Sequence, residues 1–199
     1  MTGRAHHRLA QAAGYADGVL DAVTEALLPR PTPCRGWSLC MLLDHVSESL
    51  AALHEGASAQ LVALVAASPP ADVADRSATA LVATVRQRTT ALLEVASEAD
   101  ADAPVDVGAH LMPLDCLLAV GALEIAVHAW DISQACGQRL PVPDELAAAL
   151  LSQARVLVPE RDRAPLFAAP AAVCGQGSPS DQLTAYLGRA GDCGEKAVK

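Results

Sequence analysis

The chain has 199 residues, enough for one domain with a sizeable core; 52% of its residues are apolar but only 3% are aromatic. Its net charge of −9 argues against a nucleic-acid partner, which would favour a basic face. No continuous apolar run is long enough to span a bilayer, and residues 1–20 lack the apolar segment of a secretion signal. We therefore predict a cytoplasmic protein without a membrane partner, either a monomer or a homodimer.

Apolar residues recur at helical spacing along most of the chain, while prolines and glycines mark the ends of these segments. The predicted helices are 4–28, 38–66, 72–99, 113–136, 143–158 and 180–188. We place a break in the second helix near Gly56. Residues 100–112 predict a loop with a short extended piece at 105–107, and residues 190–199 predict a disordered tail. The pattern predicts an all-α protein in a single domain, 1–199.

The fourth helix carries a stripe of polar groups on an otherwise apolar surface. Glu124 and His128 are four residues apart, which separates them by about 40° around a helix. Asp131 falls within about 20° of Glu124 on the same wheel. Because an unpaired buried charge is costly, these side chains need partners, and a metal ion would be one. A hydrogen-bonded Glu/His pair is the alternative.

A further imidazole lies in the second helix. Ser38 is a plausible N-cap, and His45 follows between apolar neighbours, so it should face inward or lie at the edge of the core. Two His and one Glu would give the three protein ligands of an open catalytic metal site. Trp37 is expected to plug the bundle where the proline-rich connector turns into this helix.

Three blocks of the sequence resemble a known family in the family's own order. They are Thr32-Pro33-Cys34-Arg35-Gly36-Trp37-Ser38, the Leu-Leu-Asp-His-Val that follows, and the Glu-x-x-x-His-x-Trp-Asp of residues 124–131. They are similar to the DinB-like metalloprotein superfamily, and more narrowly to the actinobacterial branch that contains the N-terminal domain of mycothiol-dependent maleylpyruvate isomerase. The resemblance covers nearly the whole chain.

The resemblance implies a DinB-like up-down four-helix bundle, with a short extra helical region at the C-terminus, and a divalent metal held by His45, Glu124 and His128. Zn²⁺ is the first choice, and Ni²⁺, Fe²⁺ or Co²⁺ also suit this donor set. The resemblance also implies mycothiol as a co-substrate that attacks an electrophilic small molecule. The isomerase carries a second domain that this chain stops too early to contain, which favours a transferase or a tailoring enzyme of secondary metabolism over isomerisation of maleylpyruvate itself.

Other residues near the expected site have two interpretations each. Asp131 could accept a hydrogen bond from the ring of a ligand histidine, or could pair with the backbone or Arg139. Glu48 is a candidate general base, although a solvated helix residue is the simpler interpretation. Arg35 is a candidate clamp for an anionic substrate, although a surface arginine is the default.

The six cysteines contain no C-x-x-C pair, so a thiolate zinc site is not expected. Cys40 and Cys116 both fall well off the helix face of the nearest expected ligand. We therefore predict that activity needs the metal but no protein cysteine as a nucleophile. Two other classes of function stay open: an enzyme that uses the metal without a thiol, as a lyase, hydrolase or cyclase, and a binding protein without catalysis.

Overall fold

The computed structural model of the chain describes residues 4–62, 77–108, 110–159, 161, 163, 167–173 and 175–189. The helices are α1 (Arg4–Leu20), α2 (Leu39–Ala59), α3 (Ala78–Glu98), α4 (Leu114–Ala135), α5 (Asp144–Leu157) and α6 (Pro179–Tyr186). Three short strands, β1 (Leu61–Val62), β2 (Pro104–Val107) and β3 (His110–Pro113), form one small sheet. The chain divides into two compact units, Met1–Leu140 and Pro141–Lys199. Whether these form one domain, as the sequence suggests, stays a prediction.

The first unit contains the four long helices. Helix α1 packs against α4 and α3, and α2 packs against α3 and α4. The predicted facing of the second and fourth long helices is thus confirmed, and so is the mainly α-helical DinB-like fold. The core consists of small and aliphatic side chains, as the composition predicts, with Leu9, Leu42 and Leu50 at or below 1% exposure.

Helix α4 is apolar on nearly all sides because it lies in the centre of this unit. By length and composition alone it could cross a membrane, which the sequence analysis did not expect of any segment. However, 72% of its most apolar window is buried inside the protein. The core helix of a globular protein can have the same length and hydropathy, so we attribute the hydropathy of α4 to its burial.

The predicted first helix is too long. Helix α1 ends at Leu20, and a short 3-10 helix at Glu25–Leu27 follows. This break turns Glu25 aside, so that its Oε1 accepts a hydrogen bond of 2.8 Å from the backbone N–H of Ala78, in the first turn of α3. The carboxylate therefore satisfies an otherwise unpaired donor at a helix N-terminus.

Helix α2 also ends earlier than predicted, and it has no break at Gly56. Gln60 takes a left-handed conformation (φ 57°) and ends the helix. Gly56 lies inside the helix, where a Cβ would approach Leu117 to 2.5 Å. The glycine thus permits close helix packing. The predicted second-helix residues 63–66, the beginning of the predicted third helix at 72–76 and the tail 190–199 lie outside the described residues.

The segment predicted as a loop before the fourth helix contains a hairpin. The expected extended piece is β2, which pairs antiparallel with β3 and parallel with β1. Gly108 has φ 57° at the turn, a conformation that suits glycine.

The second unit consists mainly of α5 and α6, which pack against each other. Both lie within one or two residues of their predicted bounds. Arg163 is buried, and its guanidinium donates hydrogen bonds to the carbonyls of Val158, Ala168 and Tyr186. This cation therefore connects the end of α5, the end of α6 and the irregular segment at Ala168.

Candidate metal centre

Three side chains from α2 and α4 converge at one point. His45 Nε2 lies 3.0 Å from Glu124 Oε1, and His128 Nε2 lies 3.2 Å from the same oxygen. The two imidazole rings are nearly perpendicular, with centroids 5.1 Å apart. The structure thus brings together the three residues that the sequence analysis chose as metal ligands.

The arrangement fits a divalent ion on its donor chemistry. One ligand atom from each of the three residues lies within 4.8 Å of the others. Ligand atoms that are each about 2.1 Å from one ion lie roughly 3.0–3.4 Å apart, which matches the two distances to Glu124. His45 and Glu124 retain 31% and 30% side-chain exposure, so the group opens to solvent on one side. An ion held there would have protein ligands on its buried side and would leave coordination positions accessible from solvent.

Two neighbours surround this group. Ser49, one turn after His45, donates a hydrogen bond of 3.1 Å to Glu124 Oε1. The Trp37 ring meets the His45 ring edge to face at a centroid distance of 4.8 Å. The tryptophan therefore forms a wall beside the histidine. The sequence analysis missed Ser49, although its i+4 spacing from His45 places it on the same helix face.

A second cluster lies behind His128. Its Nδ1 is 3.1 Å from Asp131 Oδ2, and the Cys34 thiol donates to the same oxygen at 3.2 Å. Asp131 is completely buried. Of the two interpretations that the sequence left open for Asp131, the contact agrees with the first, a hydrogen bond to the ring of a candidate ligand histidine. Cys34, His128 and Asp131 are also close enough to be considered as a cation-binding group themselves.

The sequence analysis weighed Cys40 and Cys116 but not Cys34, whose Sγ lies 3.8 Å from His128 Nδ1. Cys40 is buried in α2 and Cys116 is exposed on α4, and the expectation that neither takes part in activity stays a prediction. The wheel could not place Cys34, because this residue lies in the connector before α2. Its position depends on the turn there.

Two further candidates lie on the surface. Glu48 is exposed on α2, next to Ser49 in sequence, and Arg35 is exposed in the connector. Within the described part of the chain, neither side chain forms a hydrogen bond with His45, Glu124 or His128. Their roles as general base and anion clamp stay predictions.

Glu124 and His128 form an ion pair within this group, with Glu124 Oε1 3.2 Å from His128 Nε2. Partial burial acts to raise the pKa of Glu124, but attraction to His128 and hydrogen bonds from His128 and His45 hold this pKa well below its usual value. Burial is the largest single influence on His128 and acts to lower its pKa, whereas the charge of Glu124 and a hydrogen bond with it act to raise this pKa. Hydrogen bonds with Asp131 and Cys34 act in the same direction, so the pKa of His128 lies well above its usual value.

We expect protons to compete with a metal ion at His128. The imidazolium must lose a proton before its nitrogen can bind a cation, so affinity should rise with pH until the raised His128 pKa is passed. The slope should be about one decade per pH unit below that pKa, with release of about one proton per ion bound. Zn²⁺ affinity measured from about pH 6 to about pH 8 tests this, with proton release taken from calorimetry in two buffers. A flat pH profile with no proton release would contradict it.

Comparisons with known proteins place this geometry in a family. The family described as "Mycothiol maleylpyruvate isomerase N-terminal domain" matches residues 9–133, which include all three converging side chains. The chain belongs to this family. The family is metal-binding and DinB-like, as the sequence motifs indicated.

Two relatives come from Mycobacterium tuberculosis, strains CDC 1551 and H37Rv, and both are described as uncharacterized proteins. Each is 30% identical to this chain over 162 residues, covering 80% of this chain and 83% of the relative. No solved structure matches the chain.

Proposed function

We propose that this chain is a metal-dependent enzyme that transfers a small thiol, of the mycothiol type, to an electrophilic small molecule. The observation that carries the proposal is the convergence of His45, Glu124 and His128 at a point that is open to solvent on one side. The family description supports the choice of thiol, because it names mycothiol. A cytoplasmic location, where such a thiol is available, is part of the proposal.

His45, Glu124 and His128 would hold one divalent ion, preferably Zn²⁺, with Ni²⁺, Fe²⁺ and Co²⁺ as alternatives. Such an ion supplies a positive charge that keeps a thiol deprotonated near neutral pH or polarises a substrate oxygen. The hydroxyl of Ser49 holds Glu124 Oε1 in place, and Trp37 keeps the His45 ring from turning away.

The reaction itself needs no oxidant. A thiol adds across an activated double bond, so that a C–S bond forms and the thiol proton ends on the neighbouring carbon. If the thiol stays, the product is a thioether; if it leaves after rotation, the product is an isomer. Glu48 is the candidate group for moving the proton, and Arg35 is the candidate for holding an anionic group of the substrate.

We expect Zn²⁺-loaded protein to accelerate the addition of mycothiol to an activated double bond, and His45→Ala to abolish the acceleration. Adducts are detected by mass spectrometry, with chelator-treated protein as a second control. Cys40→Ala and Cys116→Ala should retain wild-type rates, because both positions fall well off the helix face of the nearest expected ligand.

The other outcomes decide between the alternatives. Metal-dependent turnover of a substrate without any thiol would support a lyase, hydrolase or cyclase and overturn the thiol proposal. Binding of metal and small molecules without turnover of any of them would leave a non-catalytic binding protein.

A further inference from the structure

The connector before α2 brings Cys34 to the back of the candidate metal centre. The backbone N–H of Trp37 donates to the carbonyl of Cys34 at 3.0 Å, and Gly36 between them has φ +84°. This positive φ is what the third residue of a type II turn requires. Thr32 stabilises the turn, because its hydroxyl donates to the carbonyls of Cys34 and Trp37. The turn thus fixes a half-buried thiol against Asp131.

Donor and acceptor counting shows what the thiol does there. Asp131 Oδ2 has Cys34 Sγ at 3.2 Å and His128 Nδ1 at 3.1 Å, while Sγ and Nδ1 are 3.8 Å apart. A carboxylate can only accept hydrogen bonds, so both neighbours must supply a proton. The imidazole of His128 therefore carries a proton on Nδ1. Its other nitrogen, Nε2, lies 3.2 Å from Glu124 Oε1, and it can bind a metal ion once it has released its own proton.

We propose that Cys34 is a positioning residue for His128, acting through Asp131. This inference rests on the proposed metal site. The thiol S–H holds Oδ2 where it accepts the Nδ1–H of His128, which sets both the ring orientation and the tautomer of the histidine. Cys34 is neither a ligand nor a nucleophile in this arrangement, because its proton is engaged with a buried carboxylate.

Three variants test the proposal through metal affinity, measured by competition with a chromophoric chelator. Cys34→Ala removes the donor and should weaken Zn²⁺ binding about 10-fold, at the lower end of what outer hydrogen-bond partners of metal ligands contribute. Cys34→Ser keeps a donor and should stay within about threefold of the wild type, because its hydroxyl can restore the hydrogen bond. Cys116→Ala, at an exposed cysteine of α4, should have no effect.

Spectroscopy separates positioning from direct ligation. Long-range ¹H–¹⁵N spectra of the Zn²⁺-loaded wild type should show His128 protonated at Nδ1. The Co²⁺-loaded protein should lack a sulfur-to-cobalt charge-transfer band. The opposite tautomer, or wild-type affinity in Cys34→Ala, would overturn the proposal.

The opposite result would be a charge-transfer band in the wild type, with both the band and metal binding lost in the two Cys34 variants. It would make Cys34 a ligand, in the group that it forms with His128 and Asp131. Two further variants test the metal site itself. If Glu124→Gln and His45→Ala leave the Zn²⁺ affinity unchanged, the proposed metal site is wrong, and with it the proposed function. If they abolish binding while Cys34→Ala does not weaken it, only the inference about Cys34 fails.

Discussion

His128→Ala is expected to abolish tight binding of a divalent ion, which we expect at about one per chain in the wild type. The imidazole supplies one of three protein donors, and the two that remain are too few for a tight site. Purification without chelator, followed by elemental analysis, measures the change directly. The expected result is a metal content that falls from about one ion per chain to background levels.

The matched control is His54→Ala, on the same helix as His45 and outside the converging group. It should keep the full metal content. Unchanged metal in His128→Ala, with the fold preserved, would mean that the ligands are wrongly assigned.

Leu9→Ala is expected to cause a large loss of stability. Leu9 lies on α1 and is completely buried. Removing its three outer carbons leaves a cavity, which typically costs about 2–5 kcal/mol in the free energy of unfolding. Urea denaturation of the wild type and the variant gives the difference in the free energy of unfolding from the midpoints and slopes of the two transitions.

Leu111→Ala makes the same chemical change at a side chain that is 76% exposed on β3. It should alter the free energy of unfolding by no more than about 0.5 kcal/mol. Equal losses in the two variants would contradict the placement of α1 in the core of the bundle.

Much of the bundle is predictable because its determinants are local. Apolar spacing marks the helices, and the prolines and glycines between them mark their ends. The i,i+4 relation of Glu124 and His128 is fixed once α4 is a helix. To place His45 beside Glu124 and His128, one must know that α2 packs on α4. Spacing within a helix does not give this packing, and the prediction came from the motif resemblance.

Other features depend on contacts between distant segments. Helix α1 stops at Leu20 because the next residues turn so that Glu25 reaches the start of α3, a partner more than 50 residues away in sequence. The hairpin of β2 and β3 consists of strands too short to show a periodic pattern. Cys34 reaches Asp131 only through the turn at Gly36, so no helical wheel could have found it.

The central claim is that His45, Glu124 and His128 hold one divalent ion. Anomalous diffraction from crystals loaded with Zn²⁺, measured on both sides of the zinc absorption edge, tests it most directly. We predict one peak per chain, within bonding distance of His45 Nε2, His128 Nε2 and the Glu124 carboxylate. A peak between Cys34, Asp131 and His128 Nδ1, or no peak near α2 and α4, would contradict the claim.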